Sequence, residues 1–329
     1  MRFLLDDGQR DFARSLDAML TAAATAAVVR SWAAGDTGPG RALWARLAEA
    51  GVFTLAVPEQ YDGLGPLPVD LTVAFVELGR HAVPGPLVET VAAAALLDRL
   101  GDATTAAAWL PGIAAGKVVG SLCLLSRDCP YALDADAADA VFVVEGDTLR
   151  LAGAHGPVQH SLDPARRPSR PLGGAVLAQG PAVTVAAAHA AEVAALATAA
   201  QALGLGRALL ERTVGYARQR RQFGVPIGSF QAVKHRLADT LVALEFAQPL
   251  VHAAAVALGR GDSTSGRDIA AAKVTAGEAA YAAARTALQL HGALGYTEEL
   301  DLSLWIRKAR ALRSSWGTPS ACRARVLAP

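Results

Sequence analysis

The stretch that decides the fold is "RQRRQFGVPIGSFQAVKHRLADT", residues 218–240. Cations crowd its first half, Gly224 and Pro226 interrupt it, and an apolar helical pattern follows. The carboxyl end of a helix favours cations because of the helix dipole, and glycine and proline favour turns. Taken by itself, the stretch predicts a basic turn between two helices, with Ser229 capping the second helix.

Long helical patterns extend outward from this turn. After it, Val233, Leu237, Leu241 and Leu244 recur at helical spacing. Further on, "DIAAAKVTAGEAAYAAARTALQLHG", residues 268–292, predicts another long helix that ends at a glycine. Long helices rich in alanine pack closely, so residues 189–329 are expected to form a bundle of antiparallel helices.

The beginning of the chain also has helical periodicity. "LWARLAEAGVF", residues 43–53, places Leu43, Leu47 and Val52 near one helical face, and Gly51 follows that face as a stop. "VDLTVAFVELGRHAV", residues 69–83, repeats the pattern. Residues 1–115 are therefore predicted to form an N-terminal helical domain.

The middle of the chain has strand patterns. "VVGSLCLL", residues 118–125, predicts a strand, and "AVFVVEGDTLRLAG", residues 140–153, predicts two strands joined at Gly146. "AVLAQGPAVTVAAA", residues 175–188, predicts two more strands. Residues 116–188 are thus a small β domain, and the fold class is mainly α with a small β domain.

Composition limits the classes of function. The 329 residues are 52% hydrophobic and 19% charged, with a net charge of +1, which suits a sizeable core and favours neither nucleic acid nor an acidic membrane surface. The N-terminal "MRFLLDDGQRDF" does not resemble a signal peptide, and alanine-rich runs lack the large apolar residues that favour membrane insertion. A cytoplasmic protein without a membrane span is expected.

Cysteine and histidine spacing gives no sign of a metal site. Cys123, Cys129 and Cys322 form no ligand pattern and are expected to be reduced thiols. No group of histidine, cysteine and carboxylate residues has metal-ligand spacing, so no metal is expected.

The opening stretch closely resembles the signature of the acyl-CoA dehydrogenase family. The matching residues are Arg220, Phe223, Gly224, Pro226, Ile227, Phe230, Gln231, Leu237, Ala238 and Asp239. A second family motif appears as "QLHGALGYTEE", with Gln289, Gly292, Gly295 and Tyr296. The resemblance implies the fold of that family: an N-terminal helical domain, a middle β domain and a C-terminal four-helix bundle.

The resemblance also implies FAD as cofactor, held at an interface shared with a second subunit. In the family, the C-terminal motifs reach across to the flavin of the neighbouring subunit. Guanidinium groups suit its pyrophosphate, amides suit its adenosine, and glycine permits close approach of the backbone. Carried over onto this chain, the cofactor-binding residues are Arg220, Gln222, Phe223, Gln231, Gln289, Gly292, Gly295 and Thr318.

Other family features are missing. "LLSRDCPYALDADAADA", residues 124–140, stands where the family has its Thr-Glu-Pro and Gly-Ser-Asp motif, which docks the flavin ring and substrate. "LAGAHGPVQHS", residues 151–161, replaces the Trp-Ile segment that backs the ring. The β region is short for the family, and Ala195 replaces an arginine that contacts CoA in relatives.

The catalytic base is also absent from its expected place. Desaturation needs a carboxylate to remove the α-proton, and many family members have a glutamate directly before Gly-Thr. An ungapped match from Arg307 puts Trp316 there, followed by Gly317 and Thr318. An indole has no basic nitrogen, so no catalytic residue is assigned. Glu192 is a weaker alternative, available only with a shifted helix register.

These observations predict the small, incomplete subunit of a heteromeric acyl-CoA dehydrogenase. Its partner would be a second subunit of acyl-CoA dehydrogenase type, expected in a heterotetramer, and its substrate an acyl-CoA. Two alternatives stay open. One is a homo-oligomeric flavoenzyme of the same fold with a different reaction, and the other is a flavin-free scaffold subunit.

Overall fold

The structure, a computed structural model, describes residues 4–126 and 129–328 and is mainly helical with a small β region. The predicted fold class is confirmed. Residues 1–3 of the N-terminal stretch and residues 127–128 of the segment before the hairpin lie outside the described residues. The helices are α1 (Asp7–Ala22), α2 (Thr25–Ala33), α3 (Gly38–Glu49), α4 (Pro68–Arg80), α5 (Leu87–Arg99), α6 (Ala103–Ala114), α7 (Pro181–Gln219), α8 (Gln231–Arg260), α9 (Ser265–His291), α10 (Leu302–Ser314) and α11 (Pro319–Leu327).

The strands occupy two places along the chain. Most of them fall between α6 and α7, and a short pair separates α7 from α8. They are β1 (Gly120–Leu124), β2 (Ala132–Leu133), β3 (Ala140–Glu145), β4 (Thr148–Leu151), β5 (Ala154–His155), β6 (Pro168–Ser169), β7 (Pro171–Leu172), β8 (Ala175–Gln179), β9 (Arg221–Gln222) and β10 (Val225–Pro226).

The chain divides into two compact units that interleave along the sequence. One comprises Met1–Ala26, Thr72–Ala82 and Ala195–Pro329, and the other Ala27–Leu71 and Val83–Ala194. The three-domain boundaries at residues 115 and 188 stay predictions.

In the first unit, small residues let helices approach closely. Alanines line the buried side of α9, including Ala276, Ala280, Ala283 and Ala287. At the crossing of α4 and α7, a Cβ on Gly204 would lie 1.8 Å from the carbonyl oxygen of Val76. Backbones touch there without intervening side chains, so the Gly204–Gly206 pair serves packing, as expected for glycines inside a helix.

The second unit contains a four-stranded sheet in the order β1-β3-β4-β8. β1 and β3 are parallel, whereas β3–β4 and β4–β8 are antiparallel. The predicted hairpin is confirmed: Glu145 pairs with Thr148, and Gly146 turns with φ +61°. Helix α5 packs beside β1, where the Thr90 hydroxyl donates to the Gly120 carbonyl at 2.6 Å.

Two local predictions are wrong. Residues 181–188 are the start of α7 rather than a strand, since Pro181 suits the first turn of a helix. Ser229 does not cap α8; its hydroxyl donates to the Pro226 carbonyl at 2.7 Å, and Phe230 occupies the N-cap. In the apolar stripe of α8, Leu244 is buried but Leu241 is 48% exposed, because only part of the stripe meets a neighbouring helix.

Judged only by length and composition, helices α7 and α8 are long and apolar enough to cross a membrane. Counting the bent pair α1 and α2 as one span would give three. The most apolar 18-residue window of α7 is 61% buried inside the protein, and that of α8 is 33% buried. The expectation of no membrane span stays a prediction.

Candidate functional site

A short hairpin presents the first group of predicted cofactor residues. Gln222 pairs with Val225, and Phe223 and Gly224 form the tip with φ +53° and +81°. The Arg221 guanidinium donates to the Gly224 carbonyl at 2.7 Å and holds the turn closed. The Phe223 side chain is 92% exposed, with its ring edge-on to Phe230 at 6.2 Å. Val225 and Phe230 are exposed as well, so the hairpin presents a small apolar patch rather than a single ring.

Arg220 lies at the base of this hairpin. Its backbone is fixed, since its N–H donates to the Tyr216 carbonyl and its carbonyl accepts from Ile227, both at 2.8 Å. Its guanidinium is exposed and forms no hydrogen bond or ion pair with any residue the structure describes. Gln222 and Gln231 are also exposed. Charge and amide donors therefore face outward on a backbone that is held in place.

The glycine turn after α9 lies close to the hairpin. His291, the last residue of α9, is buried and stacks on Tyr216 with ring centroids 4.1 Å apart. Burial lowers the pKa of His291, while its Nδ1 pairs with the Ala287 carbonyl at 2.8 Å. Tyr216 is one turn before Arg220, so this stack brings the hairpin base and the turn to the same end of the bundle.

The two glycines assigned to the cofactor differ in role. Gly292 is exposed, has φ +60°, and would place a Cβ in open space. Gly295 is buried, and a Cβ there would lie 3.1 Å from the Leu288 carbonyl oxygen. Gly292 can offer its backbone to a ligand, whereas the missing Cβ of Gly295 serves the packing of the turn itself.

Gln289 is exposed on the last turn of α9, and its side-chain oxygen accepts a hydrogen bond from the Arg236 guanidinium of α8. This bond ties the start of α8, where Gln231 lies, to the end of α9. Arg220, Gln222, Phe223, Gln231, Gln289 and Gly292 are thus grouped at one end of the C-terminal helices.

Trp316 lies in a turn that a buried lysine holds. The ammonium group of Lys273, on α9, donates to the carbonyls of Leu312, Arg313 and Gly317 at 3.1–3.2 Å. Trp316 is half-buried with φ +52°, and a Cβ on Gly317 would lie 2.9 Å from the Cys322 sulfur. The backbone of the predicted base position is therefore fixed, and its side chain is an indole.

Thr318 is separated from the other predicted cofactor residues. Its hydroxyl caps α11 by accepting from the Ala321 N–H at 3.2 Å. Lys273, which anchors the neighbouring Gly317, and Gln289 are sixteen positions apart on α9, about 24 Å along a helix. The hydroxyl of Thr318 thus has a structural use, and the structure does not bring it to Gln289.

Glu192, the alternative base, lies in the other compact unit from Trp316. It is part of α7, half-buried, and its charge acts on His189. Burial lowers the pKa of His189, and burial raises the pKa of the nearby Asp98. Glu192 belongs to a local polar group that the sequence did not predict.

In the segment that replaces the flavin-docking motif, Asp134, Asp136 and Asp139 form hydrogen bonds within their own compact unit. Asp136 accepts from the Arg167 side chain at 3.0 Å, and Asp139 accepts from Arg41 at 2.9 Å and from the Val119 N–H at 2.8 Å. Asp134 is buried and accepts from the Arg167 N–H at 3.1 Å. Burial raises the pKa of Asp134 to about 7. These carboxylates hold the fold of the segment together.

A second polar cluster was also not predicted from the sequence. Asp17, Glu77 and His81 bring ligand-type atoms within 4.8 Å of one another. His81 and Asp17 are 2.8 Å apart, and the Arg80 guanidinium, 3.9 Å from Asp17, already supplies positive charge. Glu77 lies on α4, and His81 directly follows its last residue. Their spacing of four residues predicts that the two side chains lie on the same face of the helix. Asp17 is too distant in sequence for any local pattern to add it.

Comparisons with known proteins agree with this architecture. The acyl-CoA dehydrogenase N-terminal domain matches residues 6–117, and the acyl-CoA dehydrogenase C-terminal domain matches residues 184–327. Acyl-CoA dehydrogenase IpdE2 of Mycobacterium tuberculosis is 35% identical over 287 residues, which cover 86% of this chain and 85% of that protein.

Two solved structures share the whole fold. The ChsE4-ChsE5 complex from Mycobacterium tuberculosis matches with a TM-score of 0.85 and 23% identity, covering 99% of this chain and 98% of that chain. A variant of the Tcur3481-Tcur3483 steroid ACAD matches with a TM-score of 0.83 and 24% identity, covering 97% of this chain and 96% of that chain. The predicted family is confirmed: the chain belongs to the acyl-CoA dehydrogenase family, whose cofactor is FAD.

Proposed function

We propose that this chain is a subunit of a heteromeric acyl-CoA dehydrogenase and contributes C-terminal contacts to FAD that a catalytic partner holds. The complex would desaturate a CoA thioester between its α and β carbons. The observation that carries the proposal is an asymmetry between two sites. Residues suited to a neighbour's flavin face solvent at one end of the bundle, whereas an indole occupies the base position in this chain.

The residues fit one half of FAD. The exposed guanidinium of Arg220 suits a pyrophosphate, and Gln222, Gln231 and Gln289 offer amide groups beside it. Gly292 leaves open space at the turn. These groups would hold the ADP half of the cofactor. When bound, FAD supplies the acceptor for the hydride that leaves the substrate β-carbon.

The residues that replace the flavin-docking motif do not suit the flavin ring. Asp136 and Asp139 are engaged by arginines of their own chain, and the pKa of Asp134 is raised by burial. None of the three carboxylates is free to dock a ring. We therefore infer that the ring lies against the partner, with this chain gripping the nucleotide end.

The group that removes the α-proton must belong to the partner subunit. Trp316 cannot accept the α-proton, because the indole nitrogen only donates. Glu192 neighbours His189 and lies in the other compact unit. A proton acceptor at the expected place in this chain is lacking, so the chain would support catalysis without performing it.

Relatives support a paired arrangement. The ChsE4-ChsE5 structure is a complex of two differently named chains, and the Tcur3481-Tcur3483 protein is described as a steroid ACAD. By analogy, the partner would be a second subunit of acyl-CoA dehydrogenase type in a cytoplasmic heterotetramer. Its substrate would be a bulky, steroid-like acyl-CoA.

The test is co-expression with an adjacent family gene product and measurement of FAD retention. Replacing Arg220 with alanine should speed FAD loss about 10- to 100-fold, since a charge-assisted hydrogen bond is worth roughly 1.5–3 kcal/mol. Arg260→Ala, at the exposed end of α8, is the matched control and should retain FAD.

Two results would reject the proposal. If the purified chain alone is yellow and fully active, the homo-oligomeric flavoenzyme is correct. If the co-purified complex retains FAD equally well with Arg220→Ala and Gln289→Ala, the chain acts as a scaffold without a flavin contact.

A further inference from the structure

Three potential metal ligands come together where α1 meets the end of α4. Asp17 is on α1, Glu77 is on α4, and His81 directly follows α4. One ligand-type atom from each side chain lies within 4.8 Å of the other two. All three residues, here termed the α1–α4 cluster, belong to the same compact unit. None of them is among the residues proposed to contact FAD.

The backbone of α4 presents two of these side chains together. The His81 N–H donates to the Glu77 carbonyl at 3.1 Å, so the helical hydrogen-bond pattern continues past the end of α4. Side chains four residues apart on a helix are neighbours on one face. His81 Nε2 is 2.8 Å from Asp17 Oδ1, which adds the third side chain from α1. Two ligands are thus fixed by one helical turn, and the third comes from a separate helix.

The carboxylate of Glu77 lies buried without a partner. Glu77 is 8% exposed, and its Oε2 atom has no hydrogen-bond partner among residues 4–126 and 129–328. Such a group has lost its contacts with water and has gained no protein donor in exchange, which is costly. Buried carboxylates are normally paired with a cation or coordinate a metal ion. A cation bound in the cluster would supply the missing partner.

The neighbouring arginines are engaged by other carboxylates. Arg80 lies 3.9 Å from the aspartate of the cluster but 2.8 Å from Glu211. Arg207 acts on Glu77 through its charge, and its guanidinium is bonded to Glu245 at 3.2 Å. Each arginine is therefore matched by a carboxylate outside the cluster, which leaves the carboxylates of the cluster to attract a cation.

The ligand types select the kind of cation. One imidazole and two carboxylates suit Zn²⁺ and other divalent transition-metal ions, whereas Mg²⁺ and Ca²⁺ prefer oxygen ligands alone. Nitrogen and oxygen ligands at about 2.0–2.2 Å from one ion lie roughly 3–3.5 Å from one another. The ligand atoms of His81 and Asp17 are 2.8 Å apart, and the other pairs are within 4.8 Å. Modest rotation of the side chains would bring all three into range.

The cluster is open to solvent on the α1 side. The Asp17 side chain is 43% exposed and that of His81 is 12% exposed, so an ion from solvent would meet Asp17 first. Water would complete its coordination there. We infer that the α1–α4 cluster binds one Zn²⁺, or a divalent transition-metal ion of similar ligand preference, through Asp17, Glu77 and His81 Nε2. The bound ion would join α1 to the end of α4 and stabilise the folded chain.

The experiment is isothermal titration calorimetry of the full chain with ZnCl₂, after treatment with EDTA and removal of the chelator. One Zn²⁺ should bind per chain, and MgCl₂ should give no binding. Asp17→Asn, Glu77→Gln and His81→Gln should each weaken Zn²⁺ binding about 10-fold or more, because each alters one of three protein ligands. Asp11→Asn, at an exposed position of the same helix α1, removes the same charge as Asp17→Asn and should leave Zn²⁺ binding unchanged.

Each calorimetric outcome decides the assignment. Absence of Zn²⁺ binding overturns the inference. Equal affinities of the unchanged chain, Asp17→Asn and His81→Gln would mean an adventitious ion only. Loss of binding in Cys129→Ser would mean the same, because Cys129 is an exposed free thiol that can hold Zn²⁺ by itself.

Thermal unfolding provides a second measurement and shows whether the variants fold. Asp17 is partly exposed, so metal-free Asp17→Asn should unfold in one cooperative transition, as the unchanged chain does. Added Zn²⁺ should raise the midpoint of the unchanged chain and of Asp11→Asn but not that of Asp17→Asn. A rise of equal size in Asp17→Asn would overturn the inference.

Discussion

At the residue scale, a buried lysine controls the turn that carries Trp316. Lys273 is 1% exposed, and its ammonium donates to three carbonyls near the end of α10. A buried charge is tolerated only when hydrogen bonds satisfy it, and here they also satisfy carbonyls that a helix end leaves without partners. The lysine and the turn therefore stabilise each other.

Replacing Lys273 with methionine should lower the free energy of unfolding by about 2 kcal/mol, since it leaves buried carbonyls without donors. Chemical denaturation checks this. Lys234→Met, on the exposed first turn of α8, is the control and should change stability by less than about 0.5 kcal/mol. Equal losses in both variants would contradict the assigned role of Lys273.

Glu77 should make stability depend on pH. Burial raises its pKa from 4.5 to about 7, against the opposing charge of Arg80. Between these two values the folded carboxyl keeps a proton that the unfolded one has lost. The free energy of unfolding should therefore fall as pH rises from 4.5 to 7, by at most about 3 kcal/mol from this group.

Glu77→Gln keeps a neutral side chain at every pH. The free energy of unfolding of this variant should not fall between pH 4.5 and 7 through this group. At pH 8 it should be larger than that of the unchanged protein. Unfolding measurements at pH 5 and pH 8 check this, with Glu59→Gln as an exposed control. A profile for Glu77→Gln parallel to that of the unchanged protein would show that Glu77 is ionised in the folded state.

At the element scale, α7 is built to pass close to α4. Its glycine at position 204 lies against the backbone of α4, and its glycine at position 215 faces open space. Glycine costs stability in a helix, by up to about 1 kcal/mol relative to alanine. Close contact justifies that cost at Gly204 and does not at Gly215.

The two glycines should therefore respond oppositely to substitution. Gly204→Ala would bring a Cβ to 1.8 Å from the Val76 carbonyl oxygen, so the helices must separate, at a cost of about 3 kcal/mol. Gly215→Ala, on the same helix, should stabilise by about 0.5–1 kcal/mol. Thermal unfolding of both variants decides this, and destabilisation by both would refute the packing account.

At the scale of the whole molecule, the chain has residues suited to binding a cofactor but lacks a carboxylate at the predicted base position. The residues proposed to contact FAD, apart from Thr318, are grouped at one end of the C-terminal helices, and an indole stands at the predicted base position. A single substitution should not restore activity, because Asp136 and Asp139, in the segment that replaces the flavin-docking motif, remain engaged by arginines of their own unit.

Flavin counting of the co-expressed complex should give one FAD for each pair of different subunits rather than two. Trp316→Glu in the chain alone should produce neither bound flavin nor dehydrogenase activity. Absorbance of released flavin against protein concentration measures the ratio. Two FAD per pair would mean that this chain also completes a flavin site of its own.

Local patterns predicted much of the architecture. The C-terminal end of α9 and the β3–β4 hairpin were predictable because Gly292 and Gly146 adopt positive φ, which glycine tolerates best. The start of α7 was not, since "VTVAAA" suits a strand locally, whereas in the folded chain Val183, Ala186 and Ala190 form a buried stripe at helical spacing. Ser229 failed as a cap for a similar reason: its hydroxyl found a nearer carbonyl partner.

The family, the fold class and the lack of a carboxylate at position 316 could be predicted from residue identity and spacing alone. Which polar groups are engaged by neighbours could be read only from the folded chain. Among residues 4–126 and 129–328, Arg285 has no hydrogen-bond or ion-pair partner, whereas Arg236 is bonded to Gln289 and Asp136 to Arg167. Hydrogen bonds and burial join residues far apart in the chain, and local periodicity carries no record of those neighbours.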